Sequence, residues 1–351
     1  MSILRSLLPG ERRFWGAAIG VACLTKFTGL LLLPFLPLFL GRREWRHCLL
    51  AFAVALFTIN AGYLFQEMFA SSSALALRSA LRFIPGHLPF PAQFLRAIDS
   101  QLTETAYPAF LLGVFNVRGF FSYYAVGLLV KSPVGLLVLI ALASWRSLNA
   151  RERPLLILSV FFFGFFSLAR YKNLGVRYLL FLYPWMATWC ARIRLERKAV
   201  RALAAAALVT MGLGTALAWP DYLAYFNLPS GGPEYGHRLL LDSNLDWGQD
   251  LTTLKDYMDV NSIPTISLAH FGHVDPALYG IQYTLLNGMP QSEYVAISAN
   301  FLWGRAYFVD GTMFYPDSTA GYEFFQTIKP RAVLGHSIYI FNTDDIPRES
   351  R

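Results

Sequence analysis

The feature that most constrains the fold is a series of long apolar runs separated by short basic clusters. A helix needs about 20 apolar residues to cross the hydrocarbon core of a bilayer. Cys48–Phe65, Gly119–Trp145 and Ala202–Trp219 meet or approach that length. Leu155–Ala169 and Tyr178–Ala191 are shorter, flank the polar segment RYKNLGVR, and are typical of a hairpin that turns at the membrane surface. The runs together predict an α-helical membrane protein.

The charged residues are distributed unevenly along the chain. Residues 1–219 contain 23 Lys and Arg but 7 Asp and Glu, whereas residues 220–351 contain 7 basic and 15 acidic residues. The basic residues lie in short clusters between apolar runs, as membrane loops do, which argues against a nucleic-acid partner. Charged residues make up 15% of the chain, below the share of about 25% found in soluble domains.

Three basic clusters, at residues 41–47, 145–153 and 192–201, set the predicted orientation, because Lys and Arg are enriched in cytoplasmic loops. Counting the runs between them places all three clusters in the cytoplasm if residues 66–118 form an external loop. The last run then carries the rest of the chain outside. We therefore predict a multi-pass protein of the cell (inner) membrane, with a transmembrane domain at 1–219 and an extracytoplasmic domain at 220–351.

The first apolar run, Phe14–Leu40, has basic residues on both sides and is interrupted by Lys26 and Gly29. The flanking charges favour two short helices in a re-entrant hairpin that enters and leaves on one side. One tilted span with a charge pair outside is the alternative. With this run included, the sequence predicts about six or seven spans.

From Pro220 onward the sequence becomes rich in turn residues and short β-prone segments. TISLAHF, EYVAIS and SIYIFN have the composition of strands. DWGQDLTTLKDYM and TAGYEFFQTI have the spacing of helices, and Asn244 or Asp246 is the expected N-cap of the first. Alternating helices and strands predict a small α/β domain.

Ionisable residues inside apolar runs are candidate functional residues, because lipid does not solvate a charge. Lys26 and Lys131 each interrupt a run and are followed closely by Gly or Pro. Lys172 and Arg177 lie in a predicted external turn, and Arg118 lies at the outer end of a run. Such cations suit a lipid phosphate or pyrophosphate. Snorkelling to the membrane interface is the alternative, favoured least for Lys131, where insertion at mid-span costs about 3 kcal/mol.

The predicted external loop contains three acidic residues, Glu67, Asp99 and Glu104, any of which is a weak candidate for a general base. Ordinary solvated loop charges are the favoured interpretation of Asp99 and Glu104. The segment ALALRSALRFI in the same loop is predicted to be an amphipathic helix on the membrane, with Arg78 and Arg82 facing lipid head groups.

The segment LLLDSNLDWGQDL is the most distinctive string in the chain. Asp242, Asp246 and Asp250 offer carboxylates for a hard cation, but their spacing of four residues does not match a calcium loop. A structural role at a helix start is therefore favoured. No zinc spacing, Walker loop, nucleophile elbow or dinucleotide fingerprint occurs in the sequence, so no metal site and no cofactor are predicted from it.

Four strings together resemble the bacterial branch of the GT-C glycosyltransferases, related to protein O-mannosyltransferases and aminoarabinose transferases. They are LTKFTGLLLLP (24–34), YYAVGLLVKSPVGLL (123–137), NLGVRYLLFLYP (173–184) and DSNLDWGQDL (242–251). The resemblance implies a membrane enzyme that takes a sugar from a polyprenyl-phosphate carrier outside the cytoplasm. The acceptor would be a lipid, a glycan or a protein.

By position, the resemblance places Lys26, Lys131, Lys172 and Arg177 where such enzymes face the carrier lipid. The family's acidic catalytic motif lies in the first external loop, and no Asp-Asp or Asp-Glu pair occurs in residues 1–219. The resemblance therefore implies a chain that lacks this loop and does not turn over alone. Any divalent metal would be held by the missing part. The alternatives are a non-enzymatic carrier-lipid-binding or transporter-like protein, and an external binding domain on a membrane anchor.

Overall fold

The computed structural model of the chain falls into two compact units. The first comprises Met1–Thr105 with Ala150–Leu158, and the second comprises Ala106–Asn149 with Ser159–Arg351. The structure describes residues 11–40, 45–71, 75–84, 87–103, 108–145, 149, 152–169, 173–286, 289–304, 307–310, 313–316 and 322–346.

The described residues form twelve α-helices and nine β-strands. The helices are α1 (Glu11–Thr25), α2 (Leu36–Leu40), α3 (Trp45–Gly62), α4 (Ala92–Thr103), α5 (Tyr123–Lys131), α6 (Val134–Ser144), α7 (Arg153–Leu168), α8 (Leu182–Cys190), α9 (Lys198–Leu217), α10 (Gly236–Leu239), α11 (Leu251–Val260) and α12 (Ala299–Leu302). The strands are β1 (Ala109–Leu111), β2 (Val114–Asn116), β3 (Ile266–Ala269), β4 (Tyr283–Leu285), β5 (Tyr294–Ser298), β6 (Tyr307–Asp310), β7 (Met313–Pro316), β8 (Ala332–Leu334) and β9 (Ile338–Asn342).

The core of the first unit lies between α1 and α3, which pack closely through small residues. A Cβ atom at Gly16 would collide with the carbonyl oxygen of Ala51, so glycine allows the two backbones to approach. The first apolar run divides at Lys26, after which a 3₁₀ helix, Phe27–Phe35, contains Pro34. The apolar run is therefore not one continuous helix.

The prediction of six or seven spans is wrong. In the part of the chain that the structure describes, two helices are long and apolar enough to cross a membrane, namely α3 and α9. The pair α5 and α6 would be a third, but it is bent by 110°. Helix α7 has 16 residues and α8 has 9, which falls short of the about 20 that a span needs. The apolar runs contain enough residues to cross a membrane, but breaks such as Ser132-Pro133 divide them into shorter helices.

The predicted amphipathic helix at ALALRSALRFI is also wrong. In the described part of this segment, residues 75–84, one turn of 3₁₀ helix forms, Ala80–Phe83, and the Ser79 side chain accepts a hydrogen bond from the Leu81 N–H. The backbone N–H groups of Arg78 and Ser79 bind the carboxylate of Asp99 instead of continuing a helix. The Asp99 carboxylate, on α4, takes the place of the backbone carbonyl groups that would accept these hydrogen bonds in a helix.

Helices α6 and α9 pack together in the second unit. A Cβ atom at Gly135 would collide with the carbonyl oxygen of Ala207, so this contact also depends on a small residue. Leu139, Ala204 and Ala207 are the buried residues of the contact. The second unit also contains the β1–β2 hairpin, in which Ala109 pairs with Asn116.

A five-stranded mixed sheet forms the C-terminal part of the second unit, with strand order β4-β3-β5-β9-β8. Strand β3 is parallel to β4 and β5, while β9 is antiparallel to β5 and β8. Helix α11 packs Leu251, Leu254 and Met258 into the core of this sheet. The predicted strands in TISLAHF, EYVAIS and SIYIFN and the helix in LTTLKDYM are confirmed. The expected N-cap is wrong, because the N-cap residue is Asp250.

Candidate functional site

The candidate site begins at the break between α5 and α6. Ser132 and Pro133 interrupt the helix, and the last carbonyl groups of α5 lose their helical partners. Asn227 forms hydrogen bonds with carbonyl groups at this break. Its Nδ2 donates to the oxygens of Leu129 (2.5 Å) and Ser132 (3.0 Å), and its backbone N–H donates to Val130 O (2.9 Å). The segment after α9 therefore fixes the broken helix in place.

Lys131, the last residue of α5, lies against the same segment. Its Nζ donates to the carbonyl oxygens of Leu223 (2.7 Å) and Asn244 (2.6 Å) and lies 4.3 Å from the centre of the Phe226 ring. Carbonyl dipoles and a ring face reduce the cost of burying an ammonium group, but they do not neutralise its charge. A lysine ammonium group has three N–H donors, and these two hydrogen bonds use two of them.

Asn244 connects this lysine to the neighbouring segments through nearly every polar atom it has. Its Nδ2 donates to Tyr123 Oη (2.8 Å) and Leu241 O (2.9 Å), and its Oδ1 accepts from the Val176 N–H (2.9 Å). The residue is 1% exposed. A buried amide with all these partners holds its surroundings in one geometry.

A cavity of about 340 Å³ opens beside Lys131 and Asn244. Arg177 contributes a second cation, and its guanidinium lies 4.4 Å from the Trp247 ring centre. The other lining residues are mainly aromatic or apolar: Pro133, Val176, Leu180, Tyr183, Thr215, Ala218, Tyr222, Leu223, Tyr225 and Ser243. Two cations in a cavity whose other lining residues are mainly aromatic or apolar suit an amphiphile with an anionic head.

The three aspartates of DSNLDWGQD were predicted to have a structural role at a helix start, and their carboxylates bind other groups than the helix N-terminus. Asp250 occupies the N-cap position, but its carboxylate accepts hydrogen bonds from Ser337 Oγ and Gln249 Nε2. Asp246 accepts from the Gly248 N–H (2.8 Å) and from Ser298 Oγ. Burial raises the pKa of Asp242 and Asp250, and it raises the pKa of Asp246 to about 7. The predicted capping role is replaced by tertiary hydrogen bonds.

Of the five predicted lipid-phosphate ligands, the cavity brings together Lys131 and Arg177. Lys26 is exposed at the junction of α1 and the following 3₁₀ helix, in the first unit. Arg118 is exposed after β2, where its N–H donates to Asn116 Oδ1 (2.8 Å). Lys172 lies outside the described residues.

The candidate bases of the predicted external loop have other roles. Asp99 accepts from the N–H groups of Arg78 and Ser79 at 2.7 to 3.1 Å, and these hydrogen bonds lower its pKa. Glu67 is exposed and lies 3.7 Å from the Arg96 guanidinium. Glu104 lies outside the described residues. Among the described His, Cys, Asp and Glu residues, no group of three or more is placed to hold a metal ion.

The sequence interpretation missed the neutral residues that build the site. Asn227, Ser243, Asn244 and Tyr123 carry no charge, so a search for ionisable residues in apolar runs does not find them. One signal was present, since Ser243 and Asn244 lie within the string already recognised as distinctive.

Comparisons of the chain with protein-family models, with curated proteins and with solved structures find no match in any of the three. The function therefore has to be inferred from the site itself.

Proposed function

We propose that the protein binds the phosphate of a polyprenyl-phosphate-linked sugar in the cavity beside Lys131, as part of glycosyl transfer from that carrier to a lipid, glycan or protein acceptor. The observation that carries this proposal is the pairing of Lys131 and Arg177 on one largely apolar cavity. Charge-assisted hydrogen bonds from such cations stabilise a bound phosphate and also the phosphate that leaves during transfer.

The apolar and aromatic lining supports a lipid carrier rather than a free nucleotide. Leu180, Val176 and Leu223 offer apolar surface to a prenyl chain, and the tyrosines Tyr183, Tyr222 and Tyr225 offer rings with a polar end. Helices α3 and α9 are long and apolar enough to cross a membrane, which favours the location where such a carrier occurs. We propose the cell membrane, with residues 220–351 on the extracytoplasmic side.

Binding of the carrier without transfer is the second candidate function. The specific observation in its favour is that, among the described residues, the cavity is lined by no carboxylate. A transferase needs a group that takes a proton from the acceptor hydroxyl, whereas a carrier-binding protein does not.

The test is binding of polyprenyl phosphate to the purified chain in lipid nanodiscs, with inorganic phosphate as a competitor. Lys131→Met should weaken binding about tenfold or more, because a charge-assisted hydrogen bond is lost. Arg177→Gln removes an exposed cation whose guanidinium stacks on the Trp247 ring, so it should also weaken binding while lowering stability by no more than about 1 kcal/mol. Lys329→Met removes an exposed lysine outside the cavity and is the matched control.

Unchanged binding in Arg177→Gln and Lys131→Met would contradict the proposal. Inorganic phosphate that competes as well as the prenylated form would show that the apolar walls contribute nothing. A transfer assay with polyprenyl-phosphate sugars on the same nanodiscs then separates the two candidate functions. Transfer supports the enzyme, and binding without transfer supports the carrier-binding protein.

A further inference from the structure

Helix α9 is one of the two described helices that are long and apolar enough to cross a membrane, and a basic segment, residues 192–201, leads into it. At about 1.5 Å per residue, its 20 residues extend about 30 Å, which matches the hydrocarbon core of a bilayer. Leu203, Leu208 and Leu213 are exposed along the helix, and 11% of its most apolar stretch is buried in the protein. Most of the α9 surface is therefore available to lipid.

Aromatic side chains lie near both ends of α9, as they do in spans whose ends reach the two membrane surfaces. After its carboxyl end, the rings of Trp219 and Tyr222 contact each other with their centres 5.9 Å apart. Before its amino end, Trp189 Nε1 donates to Ser144 Oγ (3.1 Å) at the end of α6, and the next residue, Trp145, is 93% exposed. The tryptophans indicate that the basic segment lies at the depth of lipid head groups.

The start of the basic segment is fixed to the neighbouring helices. Arg192 is buried, and its guanidinium lies 4.1 Å from the centre of the Trp189 ring at the end of α8. Ile193 packs against the contact between α6 and α9. The other four cations of the segment are exposed: Arg194, Arg197, Lys198 and Arg201. With five basic residues and one acidic residue, Glu196, the segment has a net charge of +4.

The exposed cations do not stabilise α9 itself. Arg197 is the N-cap residue, forms no capping hydrogen bond through its side chain, and is followed by a first turn without an acidic residue. Because the amino end of a helix carries partial positive charge, cations such as Lys198 are unfavourably placed there. In the described part of the chain, none of the four exposed side chains forms an ion pair. An anion from outside the protein would offset this concentration of positive charge.

We propose that Arg194, Arg197, Lys198 and Arg201 bind the phosphate groups of anionic phospholipids at the membrane surface where α9 begins. Anionic head groups attract basic segments that lie directly beside a span, and arginine offers a phosphate paired N–H donors. Leu195 is exposed among the cations, where it can contact the acyl chains below the head groups.

This lipid site is separate from the cavity beside Lys131. Thr215 and Ala218, which line that cavity, lie at the opposite end of α9, about 25 Å along the helix from Lys198. A phosphate bound at one end therefore does not reach the cations at the other. The inference goes beyond the proposed function and does not depend on it.

The test uses the full chain in nanodiscs of phosphatidylcholine that contain a small share of spin-labelled lipid. Electron paramagnetic resonance measures how much label the protein immobilises, for labelled phosphatidylglycerol and separately for labelled phosphatidylcholine. The natural chain should prefer the anionic lipid by about threefold or more, and high salt should reduce this preference because exposed charges are screened. The double variant Arg197→Gln with Lys198→Gln should lower it below about twofold, because two of the four exposed cations are lost.

Three variants serve as controls. Arg238→Gln with Lys329→Gln also removes one arginine and one lysine, both exposed in the C-terminal part of the chain, and should keep the natural preference. Arg197→Lys retains the charge and should keep it as well. Lys131→Met acts on the other cavity and should leave it unchanged, so failure of the proposed function and failure of this inference are distinguishable. Thermal unfolding of both double variants should match that of the natural chain, since the substituted residues are exposed.

Equal immobilisation of the two lipids by the natural chain would overturn the inference, and would leave orientation during membrane insertion as the role of these cations. An unchanged preference in the variant that lacks Arg197 and Lys198 would overturn it too. An equal loss in the variant that lacks Arg238 and Lys329 would assign the attraction to the overall charge of the chain, against a site at the start of α9.

Discussion

Two buried acidic segments of the molecule differ in what surrounds their carboxylates. In the first unit, Asp99 of α4 accepts three hydrogen bonds from two consecutive backbone N–H groups. In the second unit, Asp242 accepts a hydrogen bond from the N–H of its neighbour Ser243 and lines a small cavity. The first carboxylate is bound by backbone N–H groups distant in sequence, whereas the second is bound by the residue next to it and lies near the charge of Arg177.

The difference shows how to separate structural from functional charges. Backbone hydrogen bonds lower the pKa of Asp99, so its ionised form belongs to the folded state. Burial raises the pKa of Asp242, so the fold works against its ionised form. Lys131 is also buried, and its Nζ is bound by uncharged backbone carbonyl groups. Buried charged groups beside cavities are therefore the first candidates for binding or reaction.

The largest expected effect follows from removing the amide that holds the second region together. Asn244→Ala leaves the Val176 N–H, the Leu241 carbonyl and the Tyr123 hydroxyl without their partner. Each unpaired buried group costs about 1 to 3 kcal/mol, so the free energy of unfolding should fall by about 3 kcal/mol or more. Chemical unfolding monitored by tryptophan fluorescence measures this change, and polyprenyl-phosphate binding should be lost with it.

Asn261→Ala is the matched control for that variant. Asn261 is exposed at the end of α11, where its Nδ2 donates to Tyr257 O. Its removal should change the free energy of unfolding by about 0.5 kcal/mol or less. Equal effects of the two variants would show that Asn244 is no more than an ordinary surface amide.

The sequence predicted the elements whose signal is local. Alternation and turn residues located β3, β5 and β9, and helical spacing located α11. The number of spans was wrong because apolar composition does not show where a helix breaks. At Ser132-Pro133 the freed carbonyl groups are taken up by Asn227, 95 residues after Ser132. Such a partner is invisible to any local pattern.

Of the residues that form the site, the sequence predicted the charged ones. Lys131 and Arg177 stood out because charges in or beside apolar runs are costly, and both line the larger cavity. Asn227 and Asn244 are neutral and acquire their roles from contacts across the chain. Asp242, Asp246 and Asp250 were recognised as a group, but their tertiary partners, such as Ser298 and Ser337, lie far away in sequence.

The second prediction concerns the pH dependence of the buried carboxyl of Asp246. Its pKa is about 7 in the folded protein and near 3.8 when unfolded, so the folded state binds the proton more tightly. Its contribution to stability is therefore greatest below pH 3.8 and declines as pH rises to about 7. The difference between the two pKa values corresponds to about 4 kcal/mol at most.

Asp246→Asn should flatten this decline when unfolding free energies are compared across that pH range. Ser298 Oγ can reverse its role and donate to or accept from the amide, so the fold should persist. Burial lowers the pKa of His237 and His270 to about 4, which removes stability as pH falls from 6.5. Both histidines remain in the variant, so the difference between the two curves isolates Asp246. Parallel curves would contradict the buried, raised pKa.

The third prediction concerns Asp99, the carboxylate of the first unit that is bound by backbone N–H groups. Asp99→Asn keeps one oxygen acceptor but loses the charge and part of the bonding to the N–H groups of Arg78 and Ser79. We expect faster hydrogen exchange at these two amides and no loss of polyprenyl-phosphate binding. Because the folded pKa is lowered, the natural chain should lose this protection as pH falls through the folded pKa, and the variant should not show that transition. Loss of binding in Asp99→Asn would show that the carboxylate is more than structural.

The smallest expected effect separates two arginines that the sequence treated alike. Arg177 lies on the larger cavity, whereas Arg118 is exposed after β2 and, in the described contacts, bonds through its backbone N–H. Substituting the Arg118 side chain leaves that backbone bond intact, so Arg118→Gln should change neither stability beyond about 0.5 kcal/mol nor carrier binding. Arg177→Gln should weaken binding in the same assay, and more so at low salt, because an exposed cation is screened by ions. If both variants weakened binding equally, the attraction would come from the overall basic charge of the chain rather than from the cavity. The position of a charge beside the cavity would then not explain binding.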